Sequence, residues 1–240
     1  MSGHSKWSTI KRKKEVRDAK RGQVFTKIGK IISVAAHEAG PDPNTNFKLR
    51  LAVDQARRVN MPAENIERAI LRGAGKTEGV RIEQLTYEAY GPSGVALMIE
   101  VVTDNKNRTL NELRHILQDN GGRLASQGSV GWMFEKTGVI RILLAGLKKE
   151  EIELQAIDLG ALDIKEEGDV LAIFCEPKKL GGLKKSLEQK GIKIQSQDIE
   201  LKTKNPIKIS DKNLLSKIEK LMEALDEHDD VNEIYSNIKD

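Results

Sequence analysis

Cysteine and aromatic residues are both scarce in this 240-residue chain. Its one cysteine, Cys175, excludes an intramolecular disulfide and every metal site built from several thiolates. Aromatic residues make up only 4% of the chain, so a core must be built from Leu, Ile, Val and Ala. No apolar run approaches the roughly 18–20 residues of a membrane span, and the N-terminus lacks the apolar stretch of a signal peptide. We therefore expect a soluble, cytoplasmic protein.

Residue patterns typical of catalysis are also scarce. The four histidines are scattered, and no spacing places two of them on one helix face for a metal. Cys175 lies in an apolar stretch, which predicts a buried and inert thiol. Paired carboxylates are expected in solvated turns and loops: Glu166 with Glu167, and Asp229 with Asp230. We predict that the protein is not an enzyme and uses no metal and no cofactor.

Charge is unevenly distributed along the chain. Residues 1–79 contain 17 Lys or Arg and 8 Asp or Glu, a net charge of +9, whereas the rest of the chain has a net charge of −5. Residues 1–30 alone carry 10 basic and 2 acidic side chains. This split predicts a polyanionic partner for the first third of the chain. Lysine and arginine neutralise phosphates without special geometry, so charge does not distinguish DNA from RNA.

The first third of the chain is predicted to be helical. Residues 5–21 carry basic side chains all round and almost no apolar stripe, which favours a helix that is marginal until an anion binds it. Gly22 is expected to end that segment. Apolar residues at helical spacing then predict helices over 24–39 and 45–60, and Pro62 begins a third helix that ends near Gly73.

From about residue 82 the apolar pattern becomes that of strands. Residues 85–90 and 95–102 flank a Gly-Pro-Ser-Gly turn and predict a hairpin. Residues 106–119 predict a helix, and Ser129–Phe134 predicts a further strand. Residues 210–236, with Ser210 as helix cap, add the helix and strand that this β-β-α-β block lacks.

The remaining segment makes a complete unit by itself. Residues 137–203 show the order β-α-β-β-α-β, which is the ferredoxin-like split pattern. The predicted fold class is therefore α+β with three domains, a helical one and two ferredoxin-like α/β domains, one inserted in the other. The predicted boundaries are 1–79 for the basic helical domain, 80–136 with 204–240 for the split α/β domain, and 137–203 for the inserted one.

A polar cluster follows Thr103, where a strand is predicted to lead into a helix. Asp104 or Asn105 suits a helix cap, and the helix N-terminal amides with Lys106 and Arg108 suit a phosphate. A capped, exposed loop explains the same residues equally well.

Aromatic side chains near the basic and polar clusters suit nucleobases. Trp7, beside Lys6, suits stacking on an unpaired base, or docking on the helical core. Tyr87 and Tyr90 suit base stacking on an exposed sheet face, although alternating tyrosines are also ordinary strand residues.

The chain resembles the YebC/PmpR family through many ordered motifs. They cover residues 2–136 densely: Ser2-Gly3-His4-Ser5-Lys6-Trp7, Asp18-Ala19-Lys20-Arg21-Gly22, Leu49-Arg50-Leu51-Ala52, Asn60-Met61-Pro62, Asn65-Ile66-Glu67-Arg68-Ala69-Ile70, Tyr87-Glu88-Ala89-Tyr90-Gly91-Pro92, Thr103-Asp104-Asn105-Lys106-Asn107-Arg108-Thr109 and Gly128-Ser129-Val130. The resemblance implies a helical domain followed by two α/β domains. It also implies regulation of gene expression, because bacterial members are described as DNA-binding transcriptional regulators. A mitochondrial relative is a translational activator, and bacterial members have also been tied to ribosomes.

We expect a nucleic-acid-binding regulator in the cytoplasm, with no membrane and no small-molecule substrate. A DNA-binding transcriptional regulator and a translation factor bound to ribosomal RNA or the ribosome both remain open, and a small-ligand sensor is a third alternative. The residues predicted to bind nucleic acid are basic, aromatic or amide side chains: Lys6, Trp7, Lys11, Arg12, Lys13, Lys14, Arg17, Lys20, Arg21, Lys27, Tyr87, Tyr90, Asn105, Lys106, Asn107 and Arg108.

Overall fold

The protein was analysed as a computed structural model, which describes residues 5–6, 18–75, 82–144 and 148–239. The described residues form seven α-helices: α1 (Asp18–Ala39), α2 (Phe47–Arg58), α3 (Ala63–Gly73), α4 (Lys106–Asp119), α5 (Lys149–Asp158), α6 (Leu180–Gln189) and α7 (Lys212–Asp226). They also form nine strands: β1 (Ser5–Lys6), β2 (Glu83–Tyr90), β3 (Ala96–Thr103), β4 (Arg123–Leu124), β5 (Phe134–Leu143), β6 (Asp163–Glu167), β7 (Val170–Cys175), β8 (Ile194–Thr203) and β9 (Val231–Ser236).

The chain folds into two compact units. The described residues of Met1–Phe134 and Thr203–Asp240 form the first unit, and those of Glu135–Lys202 form the second. Helices and two antiparallel sheets occur together, as the α+β class predicts. That residues 1–79 form a domain of their own stays a prediction, as do the other boundaries. None of the described helices is long and apolar enough to cross a membrane.

Helices α1, α2 and α3 pack around an aliphatic core. Its buried members are small or branched: Ile28, Ile32, Ala35, Ala36, Leu49, Ala52, Val53, Ala56, Met61, Ile66 and Ala69. Two predictions for this region are wrong. Gly22 lies inside α1 instead of ending a helix, because one glycine costs only about 1 kcal/mol relative to alanine and the adjoining apolar stripe outweighs it. Ser5–Lys6 is an edge strand that pairs with β9, and not part of a helix.

Helix α3 crosses α1 at very close range. A Cβ atom at Gly73 would lie 2.1 Å from the carbonyl oxygen of Ser33, so only glycine fits at this crossing. The Ser33 hydroxyl also lies 2.8 Å from the carbonyl oxygen of Ala69 on α3. This crossing fixes the position of the outer face of α3 relative to α1.

The first sheet has the strand order β1-β9-β3-β2-β4. The predicted hairpin is present as β2 and β3, with Tyr87 opposite Ile99. Helices α4 and α7 contribute the buried residues Leu113, Leu117, Leu221 and Leu225 to the core on one face of this sheet.

Two predictions in this unit are corrected. Residues 131–133 form a 3₁₀ turn and β5 begins at Phe134, so Ser129–Phe134 is not a strand. The short strand β4 pairs with β2 instead. Helix α7 is capped by Asp211 and not by Ser210, because the Asp211 carboxylate accepts hydrogen bonds from the N–H groups of Asn213 and Leu214.

The second unit contains the predicted element order β-α-β-β-α-β, from β5 to β8, and its sheet has the order β6-β7-β5-β8. Strand β7 is buried along its whole length. Cys175 at its end is fully buried, and burial raises the pKa of its thiol to about 11. The thiol is therefore protonated at neutral pH, as expected for an inert cysteine.

Candidate nucleic-acid interface

A buried carboxylate, Asp230, joins three elements of the first unit. It lies just before β9 and is 3% exposed. It accepts hydrogen bonds from Lys30 Nζ of α1 at 2.6 Å and from Arg108 Nη2 of α4 at 2.9 Å. The hydroxyls of Thr109 and Thr103 donate at 2.7 and 3.1 Å. A buried charge is tolerated because it is fully paired in this way.

The predicted solvation of the Asp229–Asp230 pair is therefore wrong for Asp230, although Asp229 is exposed. Burial opposes ionisation of Asp230, but hydrogen bonds from Lys30, Thr109 and Arg108 outweigh burial and hold its pKa well below the ordinary aspartate value. The carboxylate is thus ionised at neutral pH. It fixes two cations beside the start of α4.

The start of α4 uses part of the predicted polar cluster for its own structure. Asn105 caps the helix, and its side-chain oxygen accepts the N–H of Arg108 at 3.1 Å. The Arg108 guanidinium is 45% exposed and also pairs with Asp104 at 2.9 Å. Glu112 lies 3.8 Å from its Nε, so three carboxylates largely compensate the charge of Arg108. Lys106 and Asn107 are exposed at the same turn.

A groove of about 650 Å³ lies between α1, α3 and this turn. One carboxylate, Asp104, and four cationic side chains line it: Lys30, Arg68, Arg72 and Arg108. Arg68 and Arg72 are four residues apart on the outer face of α3, so they are neighbours, and both are exposed. Within the described part of the chain neither forms an ion pair. The groove therefore presents uncompensated positive charge, which suits an anion.

Sequence reasoning did not select Arg68 and Arg72. Their spacing of four residues is the one feature of the sequence that indicates them, because it places both on the polar side of α3. The apolar positions from which the helix is predicted lie on the opposite side. Their placement beside Lys30 and Arg108 depends on the crossing of α3 over α1, which the sequence does not show.

The two predicted tyrosines lie on opposite faces of the first sheet. Tyr87 packs with the core beneath α4, and its hydroxyl donates to the carbonyl oxygen of Lys106 at 3.3 Å. Tyr90 points to the other face, where its hydroxyl donates to the carbonyl oxygen of Ser129 at 3.3 Å. An odd separation along a strand requires this outcome. Tyr87, Tyr90 and the turn at Arg108 therefore do not make one surface.

Lys27 has a structural partner at the end of α7. Its Nζ donates to the carbonyl oxygen of Asp226 at 2.5 Å, where a cation also suits the helix C-terminus.

Several of the basic N-terminal residues carry no structural description. Trp7, Lys11, Arg12, Lys13, Lys14 and Arg17 lie outside the described residues. Only the backbone is described for Lys6, Lys20 and Arg21, in β1 and α1.

The chain matches two family models that together cover nearly all of it. Residues 5–76 match the model described as the TACO1/YebC protein N-terminal domain, and residues 82–238 match that of the TACO1/YebC second and third domain. A protein of Halothermothrix orenii named "Probable transcriptional regulatory protein" is 47% identical over 99% of this chain and 94% of its own. A protein of Thermoanaerobacter pseudethanolicus with the same descriptive name is 46% identical over 100% of this chain and 97% of its own.

A solved structure is also similar to this chain. It is the crystal structure of a conserved hypothetical protein from Aquifex aeolicus, with a TM-score of 0.88 and 41% sequence identity, over 97% of this chain and 96% of that one. The similarity extends across both units.

Proposed function

Because the chain belongs to the TACO1/YebC family, we propose that it is a nucleic-acid-binding regulator of gene expression that acts on transcription in the cytoplasm. Relatives at 46–47% identity carry the name of a transcriptional regulatory protein, which supports the regulatory role. The proposal includes no catalytic step, in keeping with a buried and protonated Cys175.

The observation that carries the proposal is the cationic groove. A phosphate backbone is a row of anions, and each phosphate neutralised by Lys or Arg releases condensed counterions. Arg68 and Arg72 are exposed and have no ion pair among the described residues, so they are available for this exchange. Lys30 and Arg108 line the same groove, but both are paired with Asp230, so the phosphate contacts are assigned to Arg68 and Arg72. Such contacts set affinity and orientation and carry no base sequence.

Replacing Arg68 and Arg72 together by alanine tests this role. Affinity for a duplex DNA should fall, and the slope of log K against log salt should shrink by about 0.9 for each phosphate that the variant no longer neutralises. Fluorescence anisotropy of a labelled duplex at several salt concentrations measures both quantities. The fold should be retained, because both side chains are exposed.

The matched control is Arg57→Ala with Arg58→Ala, which removes the same charge from α2, outside the groove. That pair should change the slope less. If the Arg68 and Arg72 variant keeps its melting temperature and its salt slope, the groove does not bind phosphates and the proposal for this surface is wrong.

Translational regulation on RNA is the second candidate, because the same cations bind RNA phosphates and the Tyr90 face offers an aromatic surface. Crosslinking in cells followed by sequencing of the bound nucleic acid separates the two. Enrichment of promoter DNA supports transcription, and enrichment of ribosomal RNA supports translation.

A further inference from the structure

The turn before β5 is built around the carboxylate of Glu88. The N–H groups of Gly128, Val130 and Gly131 donate to it at 2.7, 2.6 and 2.9 Å. A Cβ at Gly131 would lie 3.1 Å from a Glu88 oxygen, and Gly128 has a φ of +86°, so glycine suits both positions. One buried side chain thus fixes the backbone of the whole turn.

Glu88 remains charged in this setting. Burial opposes its ionisation, but the N–H donors of the turn outweigh burial and hold its pKa below the ordinary glutamate value. Hydrogen bonds to a charged acceptor are about twice as strong as neutral ones, so the turn is held firmly at neutral pH.

This turn presents Trp132 to solvent. The Trp132 side chain is 58% exposed, although the chain has only two tryptophans and few aromatic residues to spare for its core. Its Nε1 donates to the carbonyl oxygen of Ser129 at 3.0 Å, and the Tyr90 hydroxyl donates to the same oxygen at 3.3 Å. The polar edge of the indole is therefore satisfied and its orientation fixed, while much of the ring remains in water.

A cation lies against the Tyr90 ring. Arg123 of β4 is directly opposite Tyr90 of β2, and its guanidinium carbon is 4.8 Å from the centre of the Tyr90 ring. Arg123 is exposed and forms no ion pair within the described part of the chain. Stacking on the ring orients the guanidinium but leaves its charge uncompensated.

We propose that Trp132 and the Arg123–Tyr90 pair form a binding site for an unpaired nucleobase and its neighbouring phosphate. The indole stacks on the base, and Arg123 binds the phosphate. Single-stranded RNA and single-stranded DNA both offer this chemistry, whereas the bases of a duplex are already stacked. The site rests on the proposed nucleic-acid-binding function and adds to it a preference for unpaired strands.

The size and chemistry of this surface favour a base over a protein partner. A tryptophan offers about 150–250 Å², whereas a stable protein interface buries about 800 Å² on each partner. The exposed indole and the Arg123 guanidinium, which are linked through Tyr90 and the Ser129 carbonyl oxygen, match the base and the phosphate of one nucleotide. They do not match a broad apolar face.

Indole fluorescence measures this binding directly. In a Trp7→Phe background Trp132 is the only tryptophan, and stacking on a base should quench its emission. The probes are a 12-nucleotide single-stranded RNA, the single-stranded DNA of the same sequence, and the corresponding DNA duplex. Both single strands should quench the Trp132 fluorescence, and the strand that binds more tightly identifies RNA or DNA as the preferred ligand. The duplex should quench this fluorescence little.

Variants at Trp132 separate stacking from the structure of the turn. In otherwise unchanged protein, Trp132→Ala should weaken anisotropy-measured binding of the single strands by about 5- to 150-fold, the range for removal of one base stack. Trp132→Phe should retain most of the affinity, because it keeps an aromatic face. It loses only the hydrogen bond to the Ser129 carbonyl oxygen. Leu154→Ala removes another exposed apolar side chain, 64% exposed in the second unit, and should change nothing.

Arg123→Ala should reduce both the affinity for single strands and the slope of log K against log salt. Arg123→Lys should keep the wild-type slope, because it keeps the charge, although it loses the stacking of the guanidinium on Tyr90.

The inference is overturned if Trp132→Ala binds both single strands with the affinity of wild type at an unchanged melting temperature. If that result occurs while the Arg68 and Arg72 variant loses binding, only the base site fails. If wild-type protein binds none of the three probes, the proposed function fails with it.

Discussion

The two units each contain a buried ionic cluster, but the central charges have opposite signs. In the first unit a carboxylate, Asp230, is held by Lys30 and Arg108. In the second a guanidinium, Arg141, is 3% exposed and is held by Glu200 at 2.7 and 3.2 Å and by Glu167 at 3.2 Å.

The two clusters also differ in where the residues that pair with the central charge lie in the fold. Arg141 on β5 joins residues of β6 and β8 in its own sheet, and both of its carboxylates are buried or nearly so. The expected solvation of Glu167 in a turn or loop is therefore wrong, because Glu167 lies in β6 and pairs with Arg141. Asp230 joins α1 and α4 to the start of β9, and its cations reach the solvent of a groove. The first arrangement stabilises a sheet, whereas the second fixes two helices against a strand at the wall of the groove.

Breaking the cluster of the second unit should have the largest effect. Arg141→Met leaves Glu200 and Glu167 buried without their cation, which typically costs about 3–5 kcal/mol. Hydrogen exchange followed by mass spectrometry should show loss of protection over β5, β6, β7 and β8. Protection in the first unit should change less.

The compensating control replaces the whole cluster. Arg141→Met with Glu200→Met and Glu167→Gln removes all three charges, and apolar replacement of a buried ion pair is often neutral or stabilising. The triple variant should recover most of the protection. If Arg141→Met alone leaves exchange in the second unit unchanged, the cluster does not stabilise the sheet.

Breaking the cluster of the first unit should cost less. Asp230→Asn keeps the shape but removes the charge, and a hydrogen bond to a charged group contributes about 1.5–3 kcal/mol. Lys30 and Arg108 are partly exposed, so water can solvate them after the change. Denaturant unfolding with exchange readout over α1, α4 and β9 measures the loss.

The acid dependence of stability sharpens this prediction. The pKa of Asp230 is lower in the folded protein than the value of about 3.9 in an unfolded chain. Its contribution is therefore present above that unfolded value and is lost as the pH falls through the folded one. The stability difference between wild type and Asp230→Asn should therefore be constant above about pH 5 and should narrow as the pH falls from about 5 to about 3. A difference that stays constant or widens over this range contradicts the ionic role of Asp230.

Short sequence patterns predict much of the fold, because helix capping and the spacing of apolar residues act between residues that are close in the chain. Helix α4 has the predicted bounds, 106–119, since Asn105 caps it and its apolar residues have helical spacing. Gly22 misled the prediction because helix propensity is a weak preference that an apolar stripe overrides.

The candidate sites depend on contacts between distant residues, which one sequence does not reveal. Asp230 resembles any aspartate in a polar loop until Lys30, 200 positions away, is placed against it. The residues around Trp132 have the pattern of a strand, so the sequence does not predict the turn that exposes this side chain. The hydrogen bonds between the turn and Glu88 depend on the fold and leave no periodic pattern in the sequence.

The N-terminal caps of the helices also differ between the two units, and this difference should have the smallest effect on stability. Helices α2, α4 and α7 of the first unit begin with side-chain caps from Asn46, Asn105 and Asp211, whereas α3 follows Pro62 and has none. Helices α5 and α6 of the second unit follow Lys148 and Lys179, which make no cap hydrogen bond. The second unit thus leaves helix N–H groups that a suitable side chain could satisfy.

Lys148→Ser should therefore stabilise the second unit, by about 0.5–1 kcal/mol. Lys148 already has the extended backbone of a cap residue, with φ −79° and ψ 108°. Glu151 stands three positions later, so serine would complete a capping box with it. The change also gives up the exposed ion pair between Lys148 and Glu151, which contributes little. Lys179→Ser is the matched control, since it gives up a similar exposed pair with Glu176. The backbone of Lys179 is already helical, at φ −88° and ψ −11°, so serine cannot act as a cap there.

We expect slower hydrogen exchange over α5 in Lys148→Ser and no gain in protection over α6 in Lys179→Ser. Equal effects of the two substitutions would show that loss of a surface lysine, and not the cap, is responsible.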